Sequence, residues 1–236
     1  MPEVKKSVKY VTLHSENIEK YKTIISPLND DYLFLFDIDE TLFQFEKEFN
    51  KAEIASWKEV FYNLQKQTSE TRSFHEILMS CPMWGGGFYR AFEITAKKAD
   101  DLRGFFDYKK YISKDELLKK TLDSLSCRKW CFTNGLKCRA EAILQCLGIE
   151  ECFEGIICID DNEMGTRGKP FDFAYNFVES LFKITKKDKI YFFDDNKNNV
   201  EKGNTFNWNT FLIDEKTNLV QLLDYLKEKL NLEVER

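Results

Sequence analysis

The sequence predicts an α/β protein, a parallel sheet with helices on both faces and an all-α module inserted after the first strand. Three observations carry this. Short apolar runs rich in aromatic and β-branched residues recur along the chain, amphipathic stretches of helical period separate them, and one interval is far longer than a crossover helix requires. With 236 residues, 43% hydrophobic and 32% charged, the chain has the composition of a globular protein with a sizeable core.

The first run, YLFLF (32–36), is too short for a helix and reads as a buried strand. After it, KAEIASWKEVFYNLQKQ (51–67) and RAFEITAKKADDLRGFF (90–106) repeat apolar residues at helical spacing, so residues 44–125 are read as an inserted helical cap lying over the strand ends like a lid. Within it Gly85-Gly86-Gly87 marks a turn or hinge. It is not a nucleotide-binding loop, because it follows no strand of the sheet and lacks the spacing. The sheet resumes with KWCFT (129–133), GIICI (155–159), KIYFF (189–193) and TFLI (210–213). Between these lie the amphipathic KCRAEAILQCLG (137–148), with Gly148 as a helix C-cap, and FDFAYNFVESLF (171–182). The tail LVQLLDYLKEKLNLEVER is read as a closing helix with a frayed end, so that residues 1–43 and 126–236 form the core domain.

A net charge of −5 argues against binding a nucleic-acid polymer, which needs dense Lys/Arg surfaces, but leaves small anionic ligands open. No apolar run reaches the roughly 20 residues that span a bilayer, and the first 20 residues lack a secretory stretch, so no membrane partner and a cytoplasmic location are expected. The seven cysteines are odd in number and sit in or beside apolar segments, which suits reduced thiols. Cys127, Cys131 and Cys138 do not have zinc-finger spacing, and only His14 and His75 exist to assist them. Nothing in the sequence sets the oligomeric state.

The strand ends carry the chemistry. Asp37 and Asp39 lie just past YLFLF, and Asp194 and Asp195 just past KIYFF, where open parallel sheets bind ligands. Two carboxylate pairs meeting there repel unless a hard divalent cation lies between them, and Mg²⁺ is the natural choice. Residues i and i+2 of an extended segment face the same way, so Asp37 can attack a phosphorus atom while Asp39 handles a proton. Taken alone, a single Asp-x-Asp is as readily a surface turn. Thr133 and Asn134 end the second strand of this series and suit phosphoryl oxygens, although Thr-Asn-Gly is also good turn chemistry. Lys169, before a proline at a plausible first helical position, can neutralise both carboxylate and phosphoryl charge.

Together DIDET (37–41), FTN (132–134), KP (169–170) and FFDD (192–195) resemble, in order and approximate spacing, the motifs of the haloacid dehalogenase superfamily. The resemblance implies a Rossmann-like core and a phosphatase mechanism. Asp37 corresponds to the nucleophile and Asp39 to the general acid/base. Thr133 and Lys169 correspond to the residues that orient and neutralise the phosphoryl group, and Asp194 joins Asp37 and the Asp39 main-chain carbonyl around Mg²⁺. Asp195 corresponds to a holder of metal-bound water. Dehalogenases lack the aspartate at the Asp39 position, so a phosphatase is expected.

DIDETLF, CFTNGLKCRAEAILQCLGIEECFEGI (131–156) and YFFDDNKNNVEKG (191–203), with Asn199 matching the last asparagine, are further similar to the pyrimidine 5′-nucleotidase-like branch. Cys138 and Arg139 replace that branch's His-Ala pair, and MWGGGFYRAF (83–92) departs from its cap. The expected substrate is a small phosphorylated metabolite, a pyrimidine nucleoside 5′-monophosphate first, with a base that Trp84, Phe88 or Tyr89 could stack on unless they pack as core. A sugar-phosphate phosphatase, a phosphomutase and a catalytically idle binding relative are the alternatives.

Overall fold

The computed structural model describes residues 8–233; the last three residues of the expected frayed end and the first seven residues of the chain lie outside that range. Six strands form one parallel sheet: β1 (Lys9–Thr12), β2 (Leu33–Phe36), β3 (Arg128–Phe132), β4 (Gly155–Cys158), β5 (Ile190–Asp194) and β6 (Asn209–Leu212). Their spatial order is β1-β4-β3-β2-β5-β6. From β2 the chain crosses first to β3 and β4 on one side and later to β5 and β6 on the other, so strand order reverses at β2. A crevice therefore opens at its carboxyl end.

Burial on both faces explains why the strands read as continuous apolar runs rather than alternating ones. Leu33, Leu35, Phe132, Ile157 and Phe192 face one core. Phe34, Phe36, Cys131, Ile156 and Phe193 face the other. The helices that cover these faces are α1 (Ser15–Tyr21), α6 (Glu116–Asp123), α7 (Lys137–Leu147), α8 (Asp172–Leu181), α9 (Lys197–Thr205) and α10 (Leu219–Leu230). Gly148 adopts the left-handed conformation that ends α7, as its position suggests. β1 and α1 went unforeseen, because KYVT is short and carries only one fully buried side chain.

Between β2 and β3 the insertion contributes α2 (Lys47–Gln65), α3 (Phe74–Met79), α4 (Gly86–Ala91) and α5 (Ala96–Arg103). The stretch 90–106, read as helical in spacing, is divided between two helices. Glu93 takes a positive φ of 52° that ends α4, and the Thr95 side chain accepts from Lys98 N–H to start α5. The glycine triplet makes the turn into α4 and is closely packed. Gly85 supplies a left-handed N-cap, and a Cβ built on Gly165 of the β4–α8 loop would lie 2.6 Å from the Gly86 Cα. Main-chain bonds from Ala96 N–H to Glu163 O and from Lys97 N–H to Asp161 O fasten α5 to the same loop. Pro170 is not the first residue of α8, which begins at Asp172; it follows Lys169 through a cis peptide bond. All seven cysteines are free. Among the described residues no helix is long and apolar enough to cross a membrane.

Candidate active site

The β2 ladder carries on one residue past the strand, with Asp37 N–H donating to Phe193 O at 2.9 Å. The chain then turns sharply, with Glu40 at φ 55°. The aspartates are thus presented from a rigid edge rather than from a loose loop.

Lys169 joins the strand tips. Its Nζ donates to Asp37 Oδ1 at 2.9 Å, to Asp194 Oδ2 at 2.6 Å and to Phe132 O at 2.6 Å, and only 1% of the residue is exposed. Burial opposes the ammonium charge, but Asp194 and Asp37 hold its pKa above the usual lysine value. Burial pushes the Asp37 carboxyl up despite Lys169. Asn199 Nδ2 donates to both oxygens of Asp194, at 2.9 and 3.1 Å. Its own Oδ1 is buried without a partner among the described residues.

Carboxylate oxygens of Asp37, Asp194 and Asp195 all lie within 4.8 Å of one another. Burial, with Asp194 adding to it, pushes Asp195 up to about 7. Three carboxylates against one ammonium leave an excess of negative charge, and all the donors are hard oxygens, so the set suits a small divalent cation.

The other sequence-selected residues divide. Thr133 is buried at the end of β3, where its Oγ1 accepts from Gly135 N–H at 3.0 Å. The Asn134 amide is engaged in both directions by one residue: Nδ2 donates to Lys169 O and Oδ1 accepts from Lys169 N–H, each at 2.8 Å. That pairing holds the Lys169 main chain and uses the groups that would otherwise reach a phosphate. The Asp39 carboxylate turns away from the metal-suited cluster and meets Arg139 of α7 side-on, at 2.7 Å (Nη2–Oδ1) and 3.2 Å (Nε–Oδ2).

Arg139 entered the sequence argument only as a departure from a relative's pattern. It also donates to Glu53 of α2 through both terminal nitrogens and from Nη1 to Tyr108 Oη at 3.2 Å. Burial works against its charge, but Asp39 and Glu53 push its pKa up. Glu53 in turn meets Arg103 of α5 at 3.3 Å, and Arg103 meets Asp100 at 3.2 Å. A signal for this was present: Glu53 lies on the stripe Phe49-Glu53-Trp57, the buried face of α2, where an unpaired carboxylate would be costly.

Above the strand tips is a cavity of about 330 Å³. Asp37, Asp39, Thr133 and Lys169 line one side and Phe45, Ile54, Trp57, Trp84 and Tyr89 of the insertion the other. Phe88, by contrast, is core, packed edge-on against Trp57.

Solved structures share this architecture. A predicted HAD-like family hydrolase from Porphyromonas gingivalis is 16% identical, with a TM-score of 0.52 over 83% of this chain and 97% of that one. A dehalogenase with an intermediate complex is 13% identical, with a TM-score of 0.51 over 88% of this chain and 100% of that one. At such identities the likeness is one of fold. The model of the haloacid dehalogenase-like hydrolases matches residues 33–205, a span that contains all four motifs and the aspartates they contribute, and the chain belongs to that family of hydrolases.

Proposed function

We propose that this protein is a Mg²⁺-dependent phosphomonoesterase that works through an aspartyl-phosphate on Asp37, with helices α2–α5 of the insertion as its cap. The observation that carries this reading is the presence of a second carboxylate, Asp39, lining the same cavity as Asp37. A hydrolase that transfers only an alkyl group to Asp37 has no leaving oxygen to protonate and no need of that residue. A phosphatase has both needs.

In this mechanism an Asp37 oxygen forms a bond to phosphorus as the ester P–O bond breaks, and Asp39 gives a proton to the departing alcohol oxygen. Water then attacks the aspartyl-phosphate, Asp39 takes its proton, and inorganic phosphate leaves with Asp37 restored. Lys169 stabilises charge at the transferring group, and Thr133 hydrogen-bonds it. Asp37, Asp194 and Asp195, with the Asp39 main-chain carbonyl, would hold Mg²⁺. When bound, the ion neutralises charge on the phosphoryl oxygens. Arg139 orients the Asp39 carboxylate, and Asn134 and Asn199 position Lys169 and Asp194. The cap excludes water around the reacting group.

For the substrate we infer a nucleoside 5′-monophosphate, pyrimidine first. Trp84 and Tyr89 on the cavity wall offer flat apolar surface for a base, which a sugar phosphate would leave unused. The test is Mg²⁺-dependent phosphate release from nucleoside monophosphates, sugar phosphates and small alkyl phosphates, with Asp37→Asn as the blank. Preference among nucleotides that differ only in the base is expected. Sugar-directed turnover would keep the mechanism and discard the substrate, and no activity above the blank would discard both.

A further inference from the structure

The cavity that receives the leaving group has three cations on its wall among the described residues, Lys169, Arg139 and Arg103. None is uncommitted. Lys169 holds Asp37 and Asp194. Arg139 holds Asp39 and Glu53, and Arg103 holds Glu53 and Asp100. Beyond Lys169, two guanidinium groups are therefore shared among three carboxylates, and the wall is formally negative before any substrate enters.

From this we propose that the cavity selects phosphomonoesters whose leaving group carries no negative charge, and that Glu53 enforces the selection by keeping Arg139 and Arg103 occupied. The proposal rests on the phosphatase reading above. A carboxylate or second phosphate on the leaving group could be satisfied only by taking an arginine from its partner. Glu53 is 6% exposed, so losing Arg139 would strand a buried carboxylate, which is the costly way to break such a pair. Asp100 and Glu40, also on the wall, would repel the incoming charge, and aromatic walls strengthen that repulsion by excluding water. A neutral or cationic leaving group meets none of these costs. Glu53 belongs to the insertion, Asp39 and Arg139 to the sheet and its helix. The selection is thus made where cap and core meet, beside the group assigned to protonate the leaving oxygen.

The test compares two substrate pairs that differ by one carboxylate, ethyl phosphate with 2-phosphoglycolate and phosphoethanolamine with O-phosphoserine. In the wild-type protein the carboxylate-bearing member of each pair is expected to have a kcat/KM lower by about 100-fold. Glu53→Gln keeps the shape and removes the charge, leaving Arg139 with Asp39 alone and Arg103 with Asp100 alone, and is expected to narrow the ratio about tenfold by a gain on the anionic member. Asp100→Asn, which removes one of the two carboxylates on Arg103 at a more exposed position, is expected to narrow it less and serves if the first variant does not fold. Equal turnover of both members by the wild-type protein, or an unchanged ratio in a folded variant, overturns the proposal alone. No hydrolysis of these four compounds or of any nucleotide overturns the phosphatase reading and the selection with it.

Discussion

Two buried polar clusters share one cavity, and they are built differently. On the floor, Asp37, Asp194 and Lys169 come from strand ends or the adjoining loop of one sheet, and parallel register alone brings the two aspartates together at β2 and β5. On the wall, Asp39, Arg139, Glu53, Arg103 and Asp100 come from the turn after β2, from α7 and from two helices of the insertion. Three floor carboxylates face one ammonium and suit a metal ion. Three wall carboxylates face two guanidinium groups and leave little unsatisfied. The contrast teaches that a metal-suited cluster can be set by the register of one sheet, whereas an ion-pair network between sheet and insertion forms only when two parts of the chain dock.

The largest effect expected is at the floor. Asp37→Asn should lower turnover by at least about 10³-fold with little change in fold, read as phosphate release against a thermal unfolding curve. Full activity in that variant would remove Asp37 from the reaction.

Next is Lys169→Met, which leaves Asp37 and Asp194 facing each other without their shared cation. A loss of about 3–5 kcal/mol in urea unfolding is expected, as when one partner of a buried pair is deleted, and millimolar Mg²⁺ should recover part of it. An unchanged midpoint would show that the floor is not held by charge.

A smaller effect sharpens the docking side of the comparison. Gly165→Ala introduces a Cβ 2.6 Å from the Gly86 Cα at a residue with φ 87°, so either the loop or the insertion must move. A cost of about 1–3 kcal/mol is expected, with the kcat/KM ratio between carboxylate-bearing and neutral substrates shifting while Lys169 remains in place. A loss of stability with no change in that ratio would separate selection from docking.

The smallest effect is one of pH. Asp195 sits at about 7 against an unperturbed 3.8, so its protonation favours the folded protein at low pH, and that contribution is lost as pH rises toward 7. A cation competing for the same carboxylate should therefore raise Tm more at pH 7.5 than at pH 5. An increment independent of pH would place Mg²⁺ elsewhere.

The sheet, its strands and the aspartates at their tips were legible because each depends on local pattern. Runs buried on both faces advertise themselves by composition, and a residue just past such a run falls at the carboxyl edge wherever the strand is placed. The break at Glu93 and the start at Thr95 were legible in principle, since a threonine at an N-cap is a local signal. Edge strand β1 was not, because its four residues take their stability from pairing with β4.

By itself, then, the sequence determined an α/β sheet with an insertion after β2, and a carboxylate-rich rim at the tips of β2 and β5. Only the tertiary structure decided that Asn134 holds the Lys169 main chain, that Gly86 packs on Gly165, and that Arg139 links Asp39 to Glu53. Those residues are separated by 35, 79 and up to 100 positions along the chain. Strand pattern is written over a few neighbouring residues, but a buried ion pair between distant helices exists only once packing has brought them together and removed the water between them.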